Sequence, residues 1–226
     1  MIRTRAAARE ENQGESVSDE QYFAERPTVA SQELSFKVGL PDGTMHLTTD
    51  RGVFSHGALD TGTRVLILKA PPLDPARTGP GSNLLDLGCG VGPIAITLAR
   101  RAPSATVWAI DVNNRALHLT RENARANKVT NIQTCTPDQI DPTIRFELIW
   151  SNPPIHIGKA AMHEMLLLWL SRLTPTGQAV MVVQKHLGSD SLLEWLNREG
   201  FPTERVSSAK GYRLLRIRPR AADGSE

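Results

Sequence analysis

The sequence predicts an α/β fold: a doubly wound, seven-stranded, mostly parallel sheet with an antiparallel edge strand, preceded by an N-terminal hairpin and helix. Three observations predict it. From residue 83 onward, short apolar runs alternate with longer amphipathic stretches, the pattern of strands joined by crossover helices. The first of these runs ends in a glycine-rich loop that opens a helix at Pro93, where a first-turn proline is tolerated. The last two runs are joined by residues 207–211 alone, too few for a helical crossover, so they pair antiparallel at one edge.

The elements follow in order. Residues 1–26 are polar and charged without a sustained period and read as a tail lacking fixed structure. Strands over 34–40 and 44–49 flank Asp42-Gly43, which supplies hairpin turn chemistry. A loop then feeds a helix over 63–70, and Pro71, Pro72, Pro75 and Pro80 stiffen the linker that follows. Residues 27–79 thus form an N-terminal extension, 80–220 the main domain and 221–226 a short tail. Within the domain, strands are expected at 83–87, 106–111, 131–134, 147–151, 178–183, 203–206 and 212–218. Helices are expected at 93–101, 114–127, 159–173 and 189–198.

Composition excludes several classes. The 226 residues are 40% apolar and 22% charged, ordinary for a globular chain that buries a full core. Lys and Arg total 26 against 24 Asp and Glu, so the chain is no polycation, and a nucleic-acid surface has to come from local clustering. Cys89 and Cys135 are too few for a disulfide framework or a zinc cluster and read as free thiols of a reducing cytoplasm. The start MIRTRAAAREENQ lacks the apolar centre of a signal peptide, and the longest apolar stretch, 165–170, is far below the ~20 residues of a spanning helix. A cytoplasmic protein with no membrane partner and no metal is expected.

Three motifs carry chemistry. In LLDLGCGVGP (84–93), Gly88, Gly90 and Gly92 let backbone approach a ligand at the carboxyl edge of the sheet. A dinucleotide fingerprint would place its third glycine at 93, which is Pro. Asp86 would repel a pyrophosphate, but it suits an ammonium or orients the glycine loop. In AIDVNNRAL (109–117), Asp111 ends the second parallel strand, where an acid accepts both hydroxyls of a ribose. It could instead cap the next helix, although Asn113 or Asn114 can take that role. In LIWSNPPIHIGK (148–159), Pro153 and Pro154 remove two backbone donors and Asn152 adds a side-chain carbonyl. Such a row of acceptors at a central strand end suits a planar amino group.

Together these residues resemble the class I S-adenosylmethionine-dependent methyltransferases, over roughly residues 80–220, and Asn152-Pro153-Pro154 resembles the motif of the amino-group methylators among them. The narrower likeness is to the "methyltransferase small" family, which holds ribosomal-RNA guanine-N2 methyltransferases and short archaeal relatives. RGVFSHGALDTGTRVLI (51–67) resembles that family's segment ahead of the cofactor motif. The resemblance implies a Rossmann-like sheet and S-adenosyl-L-methionine as cofactor. It implies that Asp86, Gly88, Cys89, Gly90 and Gly92 line the methionine end, that Asp111 and Val112 meet the ribose side, and that Asp138 touches the adenine. Asn152, Pro153 and Pro154 would take the target amine. Phe54 and Ile155 would form the substrate side, with Ile155 where the family often has an aromatic residue; His156, next to the motif, touches substrate or is a surface or packed histidine, and Lys159 and Lys185 are expected on the substrate side from their position after two strand ends.

An RNA partner is further suggested by six bases and no acid between Arg205 and Arg220, and by Lys159 and Lys185 after two central strands. A solvated edge strand is the plain alternative. Trp108, Trp150, Trp169 and Trp195 fall in expected strands and helices and read as core. The rival acceptor is a release-factor glutamine, whose methylators resemble this chain at Asn-Pro-Pro but usually follow it with tyrosine. A non-catalytic nucleotide- or RNA-binding protein on the same scaffold is the rival of another class.

Overall fold

Alternating short apolar runs do assemble into one sheet with helices on both faces. The computed structural model describes residues 30, 32–53, 57–154 and 157–221. The expected N-terminal tail, residues 222–226, and three site candidates, Phe54, Ile155 and His156, lie outside the described residues.

The chain opens with a hairpin, β1 (Leu34–Leu40) and β2 (Gly43–Thr49), closed at Pro41-Asp42. Helix α1 spans Thr61–Lys69, capped by the Asp60 carboxylate, which accepts from Thr63 N at 2.8 Å. The main sheet comprises β3 (Asn83–Leu87), β4 (Thr106–Ile110), β5 (Ile132–Cys135), β6 (Phe146–Ser151), β7 (Leu173–Gln184), β8 (Thr203–Ala209) and β9 (Tyr212–Ile217). Its helices are α2 (Pro93–Arg101), α3 (Asn114–Ala126), α4 (Lys159–Leu170) and α5 (Ser189–Arg198). Strand order is β5-β4-β3-β6-β7-β9-β8. The first five are parallel; β9 runs antiparallel to both β7 and β8, so the last two strands pair antiparallel at the sheet edge as expected.

The inner strands β3, β6 and β7 are largely apolar on both sides because each side is covered. Leu84, Val107, Trp150 and Val180 pack under α1, α2 and α3, against Val65, Leu66, Ile94, Leu98 and Leu117. Leu85, Ile149, Met181 and Leu215 face the other way, onto Leu166, Trp169, Leu192 and Leu196 of α4 and α5. Trp150 and Trp169 are core, while Trp108 and Trp195 are half-buried; Trp195 stacks on His163.

The largest departure from the expected boundaries is at the start of β7, with smaller shifts elsewhere, such as β8 running on to Ala209. β7 begins at Leu173, not 178, and α4 stops at Leu170. Leu173 pairs with Phe146 before a bulge carries the register to Leu148 and Gln178. Gly177 is required there, since a Cβ would stand 2.7 Å from Phe146 O.

The hairpin is fastened by side chains. Asn123 and Asn127 lie one turn apart on α3, hence on one face. Asn123 accepts from Thr48 N at 2.7 Å and donates to Thr48 O at 2.9 Å. Asn127 accepts from His46 N at 3.0 Å and donates to His46 O at 2.6 Å. Two carboxamides therefore satisfy alternate residues of β2 as a neighbouring strand would. Among the described residues, no helix is long and apolar enough to cross a membrane.

Candidate active site

Strand order reverses between β3 and β6, so their carboxyl ends flank the crevice where open α/β sheets take ligands. A cavity of about 570 Å³ opens there. The glycine loop, the end of β4, the turn after β6 and the hairpin all contribute walls, mostly apolar.

The loop is built from below. Gly88 N and Cys89 N both donate to Ile110 O at 2.9 Å, tying the loop to the end of β4. Asp86 is fully buried beneath it and does not line the cavity; its Oδ2 accepts from Ala95 N, in the first turn of α2, at 2.9 Å. The bond holds the first turn of α2, just after the glycine loop. Burial pushes the Asp86 carboxyl up to about 8, and Asp86 Oδ1 has no partner among the described residues. Gly92 caps α2 with φ +86, and a Cβ there would meet Thr120 at 2.8 Å, so it serves close packing of α2 on α3.

The folded-state carboxyl thus holds its proton to about pH 8, whereas in the unfolded chain it ionises near 3.8. Stability from this group is complete below that lower value and is lost as pH rises through the upper one. Asp86→Asn keeps an oxygen for Ala95 N and removes the titration. Its melting temperature should exceed the ligand-free wild type's at pH 8.5, with the gap closing near pH 4. Parallel melting curves across that range would show that Asp86 does not carry this burial cost.

Asp111 stands at the mouth of the loop. Its Oδ2 accepts from Gly90 N and its Oδ1 from Asn113 N, both at 2.9 Å. Burial raises this carboxyl, and the backbone N–H donors oppose the rise. Asn113 caps α3 through Arg115 N and Ala116 N, which relieves Asp111 of that task. Val112 is partly exposed in the same wall.

Across the cavity, Ser151 Oγ donates to Leu87 O at 2.7 Å and locks β6 to β3 just before the turn. Asn152, Pro153 and Pro154 all line the cavity. Pro154 O accepts from Ile157 N at 3.4 Å, so the row of free carbonyls is shorter than expected. Asn152 Nδ2 donates to Asp60 Oδ2 at 2.8 Å and to Thr63 Oγ1 at 3.1 Å.

The remaining candidates divide. Gly88, Cys89 and Gly90 line the cavity. Asp138 is exposed and outside the wall, where its neighbour Pro137 stands instead. Lys159 and Lys185 are exposed at the carboxyl ends of β6 and β7, outside the lining. In the basic tail Arg213 pairs with Asp190, Arg216 and Arg218 with Glu204, and Arg220 with Glu199. Glu204 is the register partner of Arg216 across β8 and β9, so the acids come from the neighbouring strand and from α5 with its C-cap, not from the basic stretch itself. Asp60, Thr63, Gln184 and Tyr212 line the cavity and were not anticipated. The spacing Asp60-x-x-Thr63 ahead of an apolar helix was a capping signal that places Asp60 at a helix start.

Residues 44–216 match the methyltransferase small domain family. The chain therefore belongs to that family of class I S-adenosylmethionine-dependent methyltransferases. It is 33% identical over 204 residues to the uncharacterised protein YbxB of Bacillus subtilis (strain 168), covering 88% of this chain and 98% of that one. It is 31% identical over 197 residues to ribosomal RNA small subunit methyltransferase C of Pseudomonas aeruginosa (strain LESB58), covering 85% of this chain and 56% of that one. The chain spans about half the length of several such methyltransferase C relatives. In fold it is similar to a T. thermophilus 16S rRNA N2 methyltransferase solved with AdoMet and guanosine: TM-score 0.70, 24% identity, 86% of this chain and 52% of that one.

The residues present fit that cofactor. Asp111 offers a carboxylate at the strand end, Gly90 leaves open space where a side chain would stand, and the apolar walls suit a nucleoside.

Proposed function

We propose that this chain methylates an exocyclic base amine, guanine N2 in ribosomal RNA, using S-adenosyl-L-methionine. The observation that carries the reading is that Asn152-Pro153-Pro154, after β6, and Asp111, after β4, line one cavity at the strand-order reversal. The relatives named as ribosomal RNA methyltransferases support the acceptor class. When bound, S-adenosyl-L-methionine supplies a methyl on a sulfonium whose departure leaves a neutral thioether, so no residue has to protonate the leaving group. Asp111 accepts the ribose hydroxyls, and the glycine loop gives its backbone close approach. Asn152 Oδ1 and the Pro153 carbonyl accept the two hydrogens of the target amine. They turn its delocalised lone pair out of the ring plane and stabilise the positive charge that grows on nitrogen as the N–C bond forms and the S–C bond breaks, after which the methylated nitrogen releases a proton to water. The neighbouring Pro154 has no N–H to compete for those oxygens.

Labelled S-adenosyl-L-methionine incubated with the protein and with separated ribosomal RNA and protein fractions tests the acceptor. Label is expected in RNA; label confined to protein contradicts the reading.

Lys159 and Lys185, exposed after two central strands beside the cavity, are the phosphate contacts this reading puts to the test. Lys159→Ala and Lys185→Ala should each raise the KM for RNA and lower the salt slope of binding by about 1. Cofactor affinity should not move. Unchanged RNA binding at moderate salt in both variants would remove these lysines from the substrate surface.

A further inference from the structure

A single oxygen links the segment ahead of the glycine loop to the amine site. Asp60 Oδ2 accepts from Thr63 N, capping α1, and also from Asn152 Nδ2, each at 2.8 Å. Thr63 Oγ1 adds a second acceptor for the same NH2 group at 3.1 Å. We propose that Asp60, assisted by Thr63, is a positioning residue that sets the polarity of the Asn152 carboxamide, so that its oxygen and not its NH2 group meets the target amine. The proposal rests on the reading of Asn152 as the group that holds that amine.

A carboxamide has two ends of nearly equal shape, one accepting and one donating two hydrogens. An unrestrained Asn152 would present either end to the cavity. Presented with its NH2, it would face a target amine donor to donor and reject it. An ionised carboxylate accepts only, so the end of Asn152 turned toward Asp60 has to be the NH2 end. The bond is charge-assisted, hence stronger than a neutral one. Among the described residues no donor reaches Asn152 Oδ1, which leaves that oxygen as the group offered to a ligand.

The clamp is itself held. Asp60 is fixed as a helix cap, and α1 is anchored by Val65 and Leu66 in the core. A Cβ on Gly62 would stand 2.9 Å from the Tyr212 ring, so the first turn of α1 lies pressed against β9. Tyr212 forms cavity wall beside this turn. Its phenol is raised, first by burial and then by the Asp60 charge, which keeps it an uncharged neighbour.

Three variants separate positioning from folding. Asp60→Ser remains a good cap but is too short to reach Asn152. Asp60→Asn keeps an oxygen able to serve both Thr63 N and Asn152. Asn152→Ala removes the clamped group. With an unmethylated ribosomal RNA transcript as substrate, Asp60→Ser should lower kcat by about tenfold or more. The KM for RNA, S-adenosylhomocysteine affinity and melting temperature should stay near wild type, and Asp60→Asn should recover most of the rate. In nitrogen-15 spectra the Asn152 side-chain NH2 should be distinct and slow to exchange in wild type, and should move toward free-amide values in Asp60→Ser. A full rate in Asp60→Ser alongside a crippled Asn152→Ala overturns the clamp and leaves the role of Asn152 standing. A wild-type rate in Asn152→Ala overturns both. Loss of rate in Asp60→Ser that comes with lost melting temperature and lost S-adenosylhomocysteine binding makes Asp60 structural and overturns the clamp.

Discussion

Asn152→Ala should lower kcat by about 10²–10³-fold, the usual consequence of deleting one preorganised polar contact to a developing charge. Affinity for S-adenosylhomocysteine should stay nearly unchanged, because Asp111 stands at the end of β4, two strands away from Asn152 at the end of β6. The KM for RNA should shift little, since the lysines proposed to meet phosphates lie outside the cavity lining. Asn152→Asp should be no milder. Its new carboxylate would face Asp60 where the amide now donates at 2.8 Å, exchanging an attraction for a like-charge repulsion. Single-turnover rates against calorimetric affinities make the distinction. A wild-type rate in Asn152→Ala would reduce the Asn-Pro-Pro turn to a structural corner.

Asp111→Ala should weaken cofactor binding by at least about tenfold, as expected for hydrogen bonds to a charged group worth roughly 1.5–3 kcal/mol each. The variant also loses the acceptor for Gly90 N and Asn113 N, so part of the loss will come from a looser glycine loop. Asp111→Asn separates the two contributions: it keeps one oxygen for the loop and loses the charge that accepts two hydroxyls. Calorimetry with S-adenosylhomocysteine should rank affinities wild type, then Asn, then Ala. Unchanged affinity in Asp111→Ala would remove this residue from the site.

What the sequence made legible was what local pattern controls. Glycines and prolines punctuate the strands and helices; Asp111 and Asn152 stand at strand ends because the apolar runs stop there. Pro93 and Asn113 announce their helix starts through chain-local chemistry. The illegible part came from pairing across distance. Asp60 and Asn152 are 92 positions apart, and only the packing of α1 on the sheet brings them together. Gln184 and Tyr212 enter one wall because they are register partners at the end of β7 and start of β9. The basic tail looked unpaired along the chain, yet antiparallel register set Glu204 against Arg216. Asp138 follows the end of β5, where it is exposed, and its neighbour Pro137 lines the cavity.

The central claim is that this site methylates the exocyclic amine of guanine. Its most direct test is to react the protein with labelled S-adenosyl-L-methionine and unmethylated ribosomal RNA, digest the RNA to nucleosides and identify the labelled one by mass. Label in N2-methylguanosine, absent with Asn152→Ala, is the predicted result. Label in another nucleoside, or none in RNA while protein becomes labelled, would contradict it.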